Sequence, residues 1–257
     1  MHPVSGGLRR RLLSGERAVG SFVLGHDPGV VRAAAAAGLD VLILDHEHGV
    51  FSQELTGRFI DVAQSARVSL FVRCAMNDVP SLGRLFDHGL DGAMVAGAHT
   101  IDDVRRILDA IKFPPLGRRG LNPFVPAAQY GHLAGDTYMQ QQNENTSVWI
   151  LAENRQLFAG LAEICQWPGL DGVFLAPYDL SVDLGHPGEI AHPDVVNAMD
   201  AAVQVIRGSH RLAGVYCKDA RTTHPWIEKG ISFVSVGFDW SLLSATWRGI
   251  VQECSGP

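Results

Sequence analysis

Eight short apolar runs, each followed by a segment of helical periodicity or a loop, constrain this chain more than any other feature. The runs cover residues 19–24, 41–44, 69–73, 92–96, 148–153, 172–176, 212–217 and 232–237. Helical patterns cover 29–37, 53–66, 79–88, 101–112, 155–164, 193–208 and 222–229, with a last one at 240–253. Apolar runs that alternate with amphipathic ones are the mark of βα units and a parallel sheet. Eight such units in 257 residues predict a (β/α)8 TIM barrel, whose usual length is about 250 residues. A doubly wound open sheet is the rival, but no G-x-G-x-x-G opens a helix after the first run. Glycines at 38, 89 and 230 end three of the helical patterns, where left-handed caps are expected. The chain reads as a single barrel domain over 1–257, with an N-terminal helix within 1–17 and a C-terminal helix at 240–253. One long stretch, 113–145, is rich in Pro, Gly, Gln and Asn and reads as an irregular loop of functional or intersubunit use.

Charge and composition exclude several classes. A net charge of −6 gives no electrostatic footprint for nucleic acid. The one basic run, Arg9 to Arg11, is flanked by leucines and reads as a face of the N-terminal helix. No apolar stretch reaches the roughly 18–20 residues that cross a bilayer, and no hydrophobic signal core comes after the first basic residues. The expectation is a cytoplasmic protein that binds neither nucleic acid nor membrane. Four cysteines, Cys74, Cys165, Cys217 and Cys254, are scattered without C-x-x-C spacing and read as small buried hydrophobes.

A barrel places its chemistry at the C-terminal ends of its strands. The residues immediately after each apolar run therefore mark that rim. "VLILD" runs straight into Asp45, His46, Glu47 and His48; the third run ends at Arg73; the fifth ends at Glu153; Tyr178 and Asp179 come just after the sixth. Glu153 and Asp179 sit at neighbouring strand ends. Two carboxylates with open positions suit Mg²⁺ or Mn²⁺, with Co²⁺ or Zn²⁺ as further candidates, although both acids are also placed to cap the next helices. His48 has the intrinsic pKa of a general base, and Asp45, three residues earlier, is placed to orient its ring; a satisfied structural histidine is the plainer alternative. Arg73 ends an apolar strand, where a guanidinium needs an anion: a substrate oxygen, or an internal salt bridge to Asp45 or Glu47. Lys218 comes after the seventh run, the one lysine placed for imine chemistry.

These residues in this order resemble the HpcH/HpaI family of metal-dependent, class II pyruvate aldolases, which includes 2-keto-3-deoxy sugar-acid aldolases and 4-hydroxy-2-oxoheptanedioate aldolase. The resemblance runs from about residue 18 to residue 250 and is carried by "LDVLILDHEHG", "FVRCAMND", "KFPPLGRRG", "ILAEN" and above all "GLDGVFLAPYDLSVDLGHPG". It implies a barrel of the phosphoenolpyruvate/pyruvate type whose C-terminal helix is exchanged between subunits of a homo-oligomer, dimer-based, trimeric or hexameric. It implies a divalent metal on Glu153 and Asp179 that is chelated by the pyruvate half of a 4-hydroxy-2-oxo acid. Arg73 would stabilise the enolate, and His48 paired with Asp45 would move protons. Main-chain groups from Ala176 to Asp179 would hold the substrate carboxylate. Glu47 and Asp87 match family positions and would support the histidine and the rim.

The chain departs from the family pattern at particular places. Leu151 stands where a glutamine usually precedes the metal-binding glutamate, which removes a polar group able to orient a metal-bound water. His46 replaces a small residue, Ala176 a glycine, and Pro123 and Phe124 alter the long loop. The activity expected is an aldolase releasing pyruvate and an aldehyde. The alternative is an oxaloacetate decarboxylase or an enolate-coupling biosynthetic enzyme on the same scaffold. A non-catalytic oxo-acid binder would have no need of a base such as His48.

Overall fold

The computed structural model describes residues 7–255; the first six residues of the expected N-terminal helical segment lie outside that range. Strands β1 (Ala18–Val23), β2 (Val41–Asp45), β3 (Ser69–Ala75), β4 (Gly92–Ala96), β5 (Ser147–Ala152), β6 (Gly172–Leu175), β7 (Leu212–Cys217) and β8 (Phe233–Phe238) pair in parallel in sequence order, and β8 closes on β1. Helices α1 (Gly7–Leu13), α2 (Gly29–Ala37), α3 (Gln53–Ala66), α4 (Leu82–His88), α5 (Ile101–Ile111) and α6 (Gly135–Asn145) belong to the first half. In the second half come α7 (Arg155–Ile164), α8 (Pro177–Asp183), α9 (Pro193–Gly208), α10 (His224–Glu228) and α11 (Asp239–Ser255). This is the (β/α)8 barrel expected from the alternation. Among the described residues no helix is long and apolar enough to cross a membrane.

Strands buried on both faces explain why the runs read as continuous apolar stretches rather than alternating ones. One face of each strand packs outward against the helices, through residues such as Leu42, Leu44, Val72, Val95 and Ile150. The other face fills the barrel with Phe22, Val41, Ile43, Phe71, Met94, Trp149, Leu151, Phe174 and Phe233. These rings need room, and glycines at two facing strand positions provide it. A Cβ on Gly92 would come within 2.5 Å of the Phe71 ring, and one on Gly172 within 2.5 Å of Trp149. Close packing of this kind leaves the interior solid, so any site must lie at an end.

The floor is closed by α1. Leu8 and Leu12 enter the interior cluster, one turn apart on the same face. Arg9 of the basic run donates to Asp171 at 2.6 Å and to the Glu144 carbonyl at 2.9 Å, while Arg11 pairs with Glu16 and Asp40. Asp171 also accepts the Val148 N–H at 2.8 Å and lies 3.7 Å from the Lys112 ammonium. Lys112 is buried, which lowers its pKa, and it donates to the carbonyls of Asn143 and Thr146.

Three expectations are corrected. Residues 113–145 are only partly irregular: a 3-10 turn at Pro126–Gly131 leads into α6. The sequence of α6, GDTYMQQQNEN, has little apolar periodicity, so its helicity is secured from outside. Only Tyr138 and Gln142 are buried, and the Asn143 side chain bonds both the N–H and the carbonyl of Phe113. The pattern at 79–88 splits into a 3-10 turn, Met76–Ser81, and α4, with Pro80 inside the turn. The expected helix at 222–229 likewise breaks into a 3-10 turn, Ala220–Thr222, and α10.

Replacing Asp171 by Ala leaves a buried ammonium and a half-buried guanidinium without their shared anion. Urea denaturation should show a loss of about 3–5 kcal/mol, with little change in the substrate-binding rim.

Candidate active site

Inward-facing residues alternate along each strand, so inward positions near the strand ends lie on the rim. Near the ends of β2 and β3 these positions hold Asp45 and Arg73, which are direct register partners. Their side chains meet as a fork: Arg73 Nε donates to Asp45 Oδ1 at 2.9 Å and Nη2 to Oδ2 at 2.5 Å. Asp45 is fully buried and Arg73 is 8% exposed, so each is the charge that makes the other tolerable there. Beyond Asp45 the chain turns sharply. The N–H groups of Glu47 and His48 bond Asp45 Oδ1 at 3.2 and 3.3 Å, and a Cβ on Gly49 would collide with the Asp45 carbonyl.

The expected pairing of Asp45 with the His48 ring is therefore replaced. Asp45 gives its oxygens to Arg73 and to main-chain N–H groups, because the register neighbour reaches it first. His48 is exposed, and the neighbour of its ring is Glu47, with Nε2 and Oε2 4.0 Å apart. Glu47 also approaches Arg73 Nε at 3.5 Å. Arg73 thus makes both of the internal salt bridges considered from the sequence.

His46 faces away from this group. Its ring stacks on Phe51, with centroids 5.1 Å apart and planes 4° apart, and Nε2 lies 3.0 Å from Thr56 Oγ1. The Thr56 hydroxyl already donates to the Ser52 carbonyl, so His46 Nε2 is the donor. Burial lowers the His46 pKa to about 4 against the raising fields of Asp45 and Asp78. The ring is a neutral anchor for the turn.

Glu153 lies one residue past β5 and accepts the Gly97 N–H at 2.6 Å. The cap of α7 is Asn154, whose Oδ1 accepts from Leu157 N–H, so Glu153 is free of the capping role. Burial pushes the Glu153 carboxyl up to about 7, and the negative charges of Glu47 and Asp179 add to this. Burial likewise raises Glu47, with Asp45 and Asp179 contributing. Asp179 sits in the first turn of α8 behind Ala176 and Pro177, and no hydrogen bond among the described residues uses its carboxylate. Tyr178 and Asp179 also present first-turn N–H groups, which have no helical acceptor. Three carboxylates, Glu47, Glu153 and Asp179, therefore share one electrostatic neighbourhood in which the guanidinium of Arg73 is already committed to Asp45. Such an oxygen set suits a hard divalent cation.

Three expected residues lie elsewhere. Asp87 is the penultimate residue of α4 and bonds Arg119 and the Tyr138 hydroxyl. Barrel helices run back toward the strand N-termini, so the end of α4 is carried away from the rim and Asp87 does not join His48 within this chain. Leu151 is 1% exposed and packs in the barrel interior beneath the rim, where it offers no polar atom. Ala176 is 7% exposed and is packed in the same interior cluster.

The sequence reading named Tyr178 but missed the aromatic group it joins on the rim. Phe22, Tyr216, Phe238 and Tyr178 form a contiguous set, with Phe22 stacked on Phe238 at 5.0 Å and the Arg73 guanidinium 4.6 Å from the Phe22 ring. Strand alternation alone would have flagged Phe22 and Tyr216. Phe238 is turned inward by a register shift between β1 and β8, next to Gly237 at φ 63, and that irregularity has no sequence signature. A further cluster, His186, His192 and Asp194, brings three metal-capable atoms within 4.8 Å at the start of α9. Its imidazoles stack at 3.4 Å and 17°, so their in-plane lone pairs run nearly parallel, and His192 Nδ1 caps the helix through Asp194 N–H.

Titratable groups gathered at the C-terminal end of a barrel around a guanidinium have the layout of an enzyme site. Comparison with known proteins narrows this. Residues 18–245 match the family described as HpcH/HpaI aldolase/citrate lyase. A hydroxypyruvate/pyruvate aldolase of Pseudomonas aeruginosa is 30% identical over 249 residues, covering 96% of this chain and 92% of that protein. A 2-keto-3-deoxy-L-rhamnonate aldolase of Klebsiella pneumoniae is 30% identical, covering 93% and 89%. The crystal structure of an HpcH/HpaI aldolase from Desulfitobacterium hafniense superposes with a TM-score of 0.90 at 27% identity, covering 97% of each chain. The chain belongs to the HpcH/HpaI aldolase/citrate lyase family, and it is a carbon–carbon lyase of the aldolase type.

The pKa of His46 sets a pH dependence. The unfolded imidazole protonates near 6.5 and the folded one near 4, so its contribution to stability is complete above about pH 6.5 and is lost as pH falls toward 4. The melting temperature of the native protein should drop between about pH 7 and pH 4.5, and the drop should be smaller in His46→Phe.

Proposed function

We propose that the enzyme cleaves and forms 4-hydroxy-2-oxo acids, with pyruvate and an aldehyde as the partners of the reaction. The observation that carries this reading is the meeting of Glu153, just past β5, and Asp179, just past β6, on the rim that carries Arg73 and Glu47. Burial pushes the Glu153 carboxyl up to about 7, and Glu47 and Asp179 add to this. An isolated cluster of this kind is electrostatically unfavourable, and a dication relieves it. The donor set thus fits the divalent metal implied by the resemblance, Mg²⁺ or Mn²⁺ on Glu153 and Asp179. When bound, the metal supplies Lewis acidity toward the oxo acid.

The chain's own residues supply the rest. Arg73 is held rigidly by Asp45, so its remaining N–H groups are preorganised toward the negative oxygen that develops as the carbon–carbon bond breaks. The first-turn N–H groups of Tyr178 and Asp179 receive the substrate carboxylate. His48 stands exposed at the mouth and takes the proton of the 4-hydroxyl, with Glu47 beside it to stabilise the imidazolium.

A second reading has one observation in its favour. Because Asp45 is spent on Arg73, His48 lacks the buried carboxylate that would raise its basicity. Decarboxylation of oxaloacetate yields the same enolate without any base, and enolate coupling can proceed from it.

The apolar C-terminal helix supports an oligomer. None of the residues of α11 is buried, and Trp240, Leu242, Leu243, Trp247, Ile250 and Val251 are exposed. A surface of that kind calls for cover. We read it as exchanged with a neighbour in a homo-oligomer, dimer-based, trimeric or hexameric.

Two measurements test these readings. In D₂O with Mn²⁺, the pyruvate methyl signal should be lost by exchange; EDTA should abolish the loss, and Arg73→Lys should slow it about 100-fold. Oxaloacetate consumption faster than aldol turnover would move the assignment to the second reading. By sedimentation velocity the native protein should be oligomeric, and Trp247→Glu combined with Val251→Glu should release monomers.

A further inference from the structure

The inward-facing strand ends of this barrel differ from one half to the other. From β2 to β6 they lead to Asp45, Arg73, Glu153 and Asp179, while β7, β8 and β1 contribute Tyr216, Phe238 and Phe22. The charged residues just past β7 and β8 are spent elsewhere, Asp219 on capping a 3-10 turn and Asp239 on the Leu24 and Gly25 N–H groups, and Lys218 is exposed. Phe22 is 1% exposed and acts as the base of the group, with Phe174 edge-on at 6.2 Å. Tyr216 and Phe238 are only half-buried and pack 5.7 Å apart, and Tyr178 is 38% exposed and lies 6.0 Å from Tyr216. Part of each of these three side chains thus stays accessible, and Arg73 lies 6.0 Å from the Phe238 ring. The Tyr216 hydroxyl has no hydrogen-bond partner among the described residues, and burial raises its pKa so that it stays a donor.

We propose that this aromatic half-rim is the acceptor subsite, and that the aldehyde it takes is aromatic or otherwise planar and apolar rather than a small hydroxylated one. The inference rests on the aldolase reading above. A hydroxylated aldehyde set against these rings would lose water from each hydroxyl, and the rings themselves offer only the two tyrosine hydroxyls in return. An aromatic aldehyde loses little and gains stacking against Tyr216 and Phe238. Its carbonyl oxygen, which becomes the 4-hydroxyl, is placed to accept from Tyr216. In the addition direction pyruvate C3 gives up one methyl proton to the base and bonds the aldehyde carbon. The aldehyde oxygen takes that proton up, so atoms and charge balance without any further reactant.

The test uses the full-length enzyme with pyruvate and Mn²⁺, with benzaldehyde or glyceraldehyde as acceptor. Methyl exchange without acceptor is measured in parallel, because it reports the aldolase reading alone. Benzaldehyde should be preferred by about tenfold or more in kcat/KM. Phe238→Ser should lower kcat/KM for benzaldehyde about tenfold, chiefly through KM, and shrink the preference. Tyr216→Phe should keep the ring preference and raise KM for both acceptors. Tyr216→Leu gives a second way to remove a ring should Phe238→Ser fail to fold. Exchange that proceeds with glyceraldehyde preferred, or a preference indifferent to both ring removals, overturns the subsite while leaving the aldolase reading intact. No exchange in the native enzyme overturns that reading and the subsite with it.

Discussion

Everything on the rim depends on one buried ion pair. Asp45 and Arg73 are register neighbours on β2 and β3, and each buried charge is compensated by the other. Because the pair is bidentate it also fixes direction. The guanidinium is held over the Phe22 ring, and the carboxylate gathers the N–H groups of Glu47 and His48 into the tight turn after β2. One contact between adjacent strands therefore sets the orientation of the arginine and the path of the chain that carries Glu47 and His48.

The consequence for the acids is a charge imbalance. Arg73 is taken up by Asp45 and Glu47, while Glu153 and Asp179 make no ion pair among the described residues. Burial raises Glu153 and Glu47, and the neighbouring acids add to it. The floor of the barrel solves the opposite problem, with two cations, Arg9 and Lys112, gathered on Asp171. The floor is electrostatically closed and the mouth is left open. This polarity suits a fold that keeps its stability at one end and its chemistry at the other.

Much of the fold and part of the site are legible from residue order. The eight runs became eight strands, because strands buried on both faces must be almost wholly apolar. The rim acids, Arg73 and His48 could be named because they come at or immediately after the ends of those runs. The failures are equally specific. In α6 the helix is made by tertiary bonds to Phe113 and Lys112 rather than by its own periodicity. Asp87 was assigned to the rim from its family position, but the direction of α4 carries it away. Phe238 reaches the mouth through an irregular β1–β8 register.

Residue order is enough to specify the barrel, its two ends and the side of it on which titratable groups collect, since these arise from burial and from position along the chain. The choice of partners belongs to the closed sheet. Asp45 reads along the chain as the companion of His48, three residues away, yet it pairs with Arg73, 28 residues away. The aromatic half of the rim likewise comes from strands at opposite ends of the chain. Proximity along the chain is no measure of proximity in a closed sheet, where register across the ladder places side chains within bonding reach before local neighbours can turn to meet them.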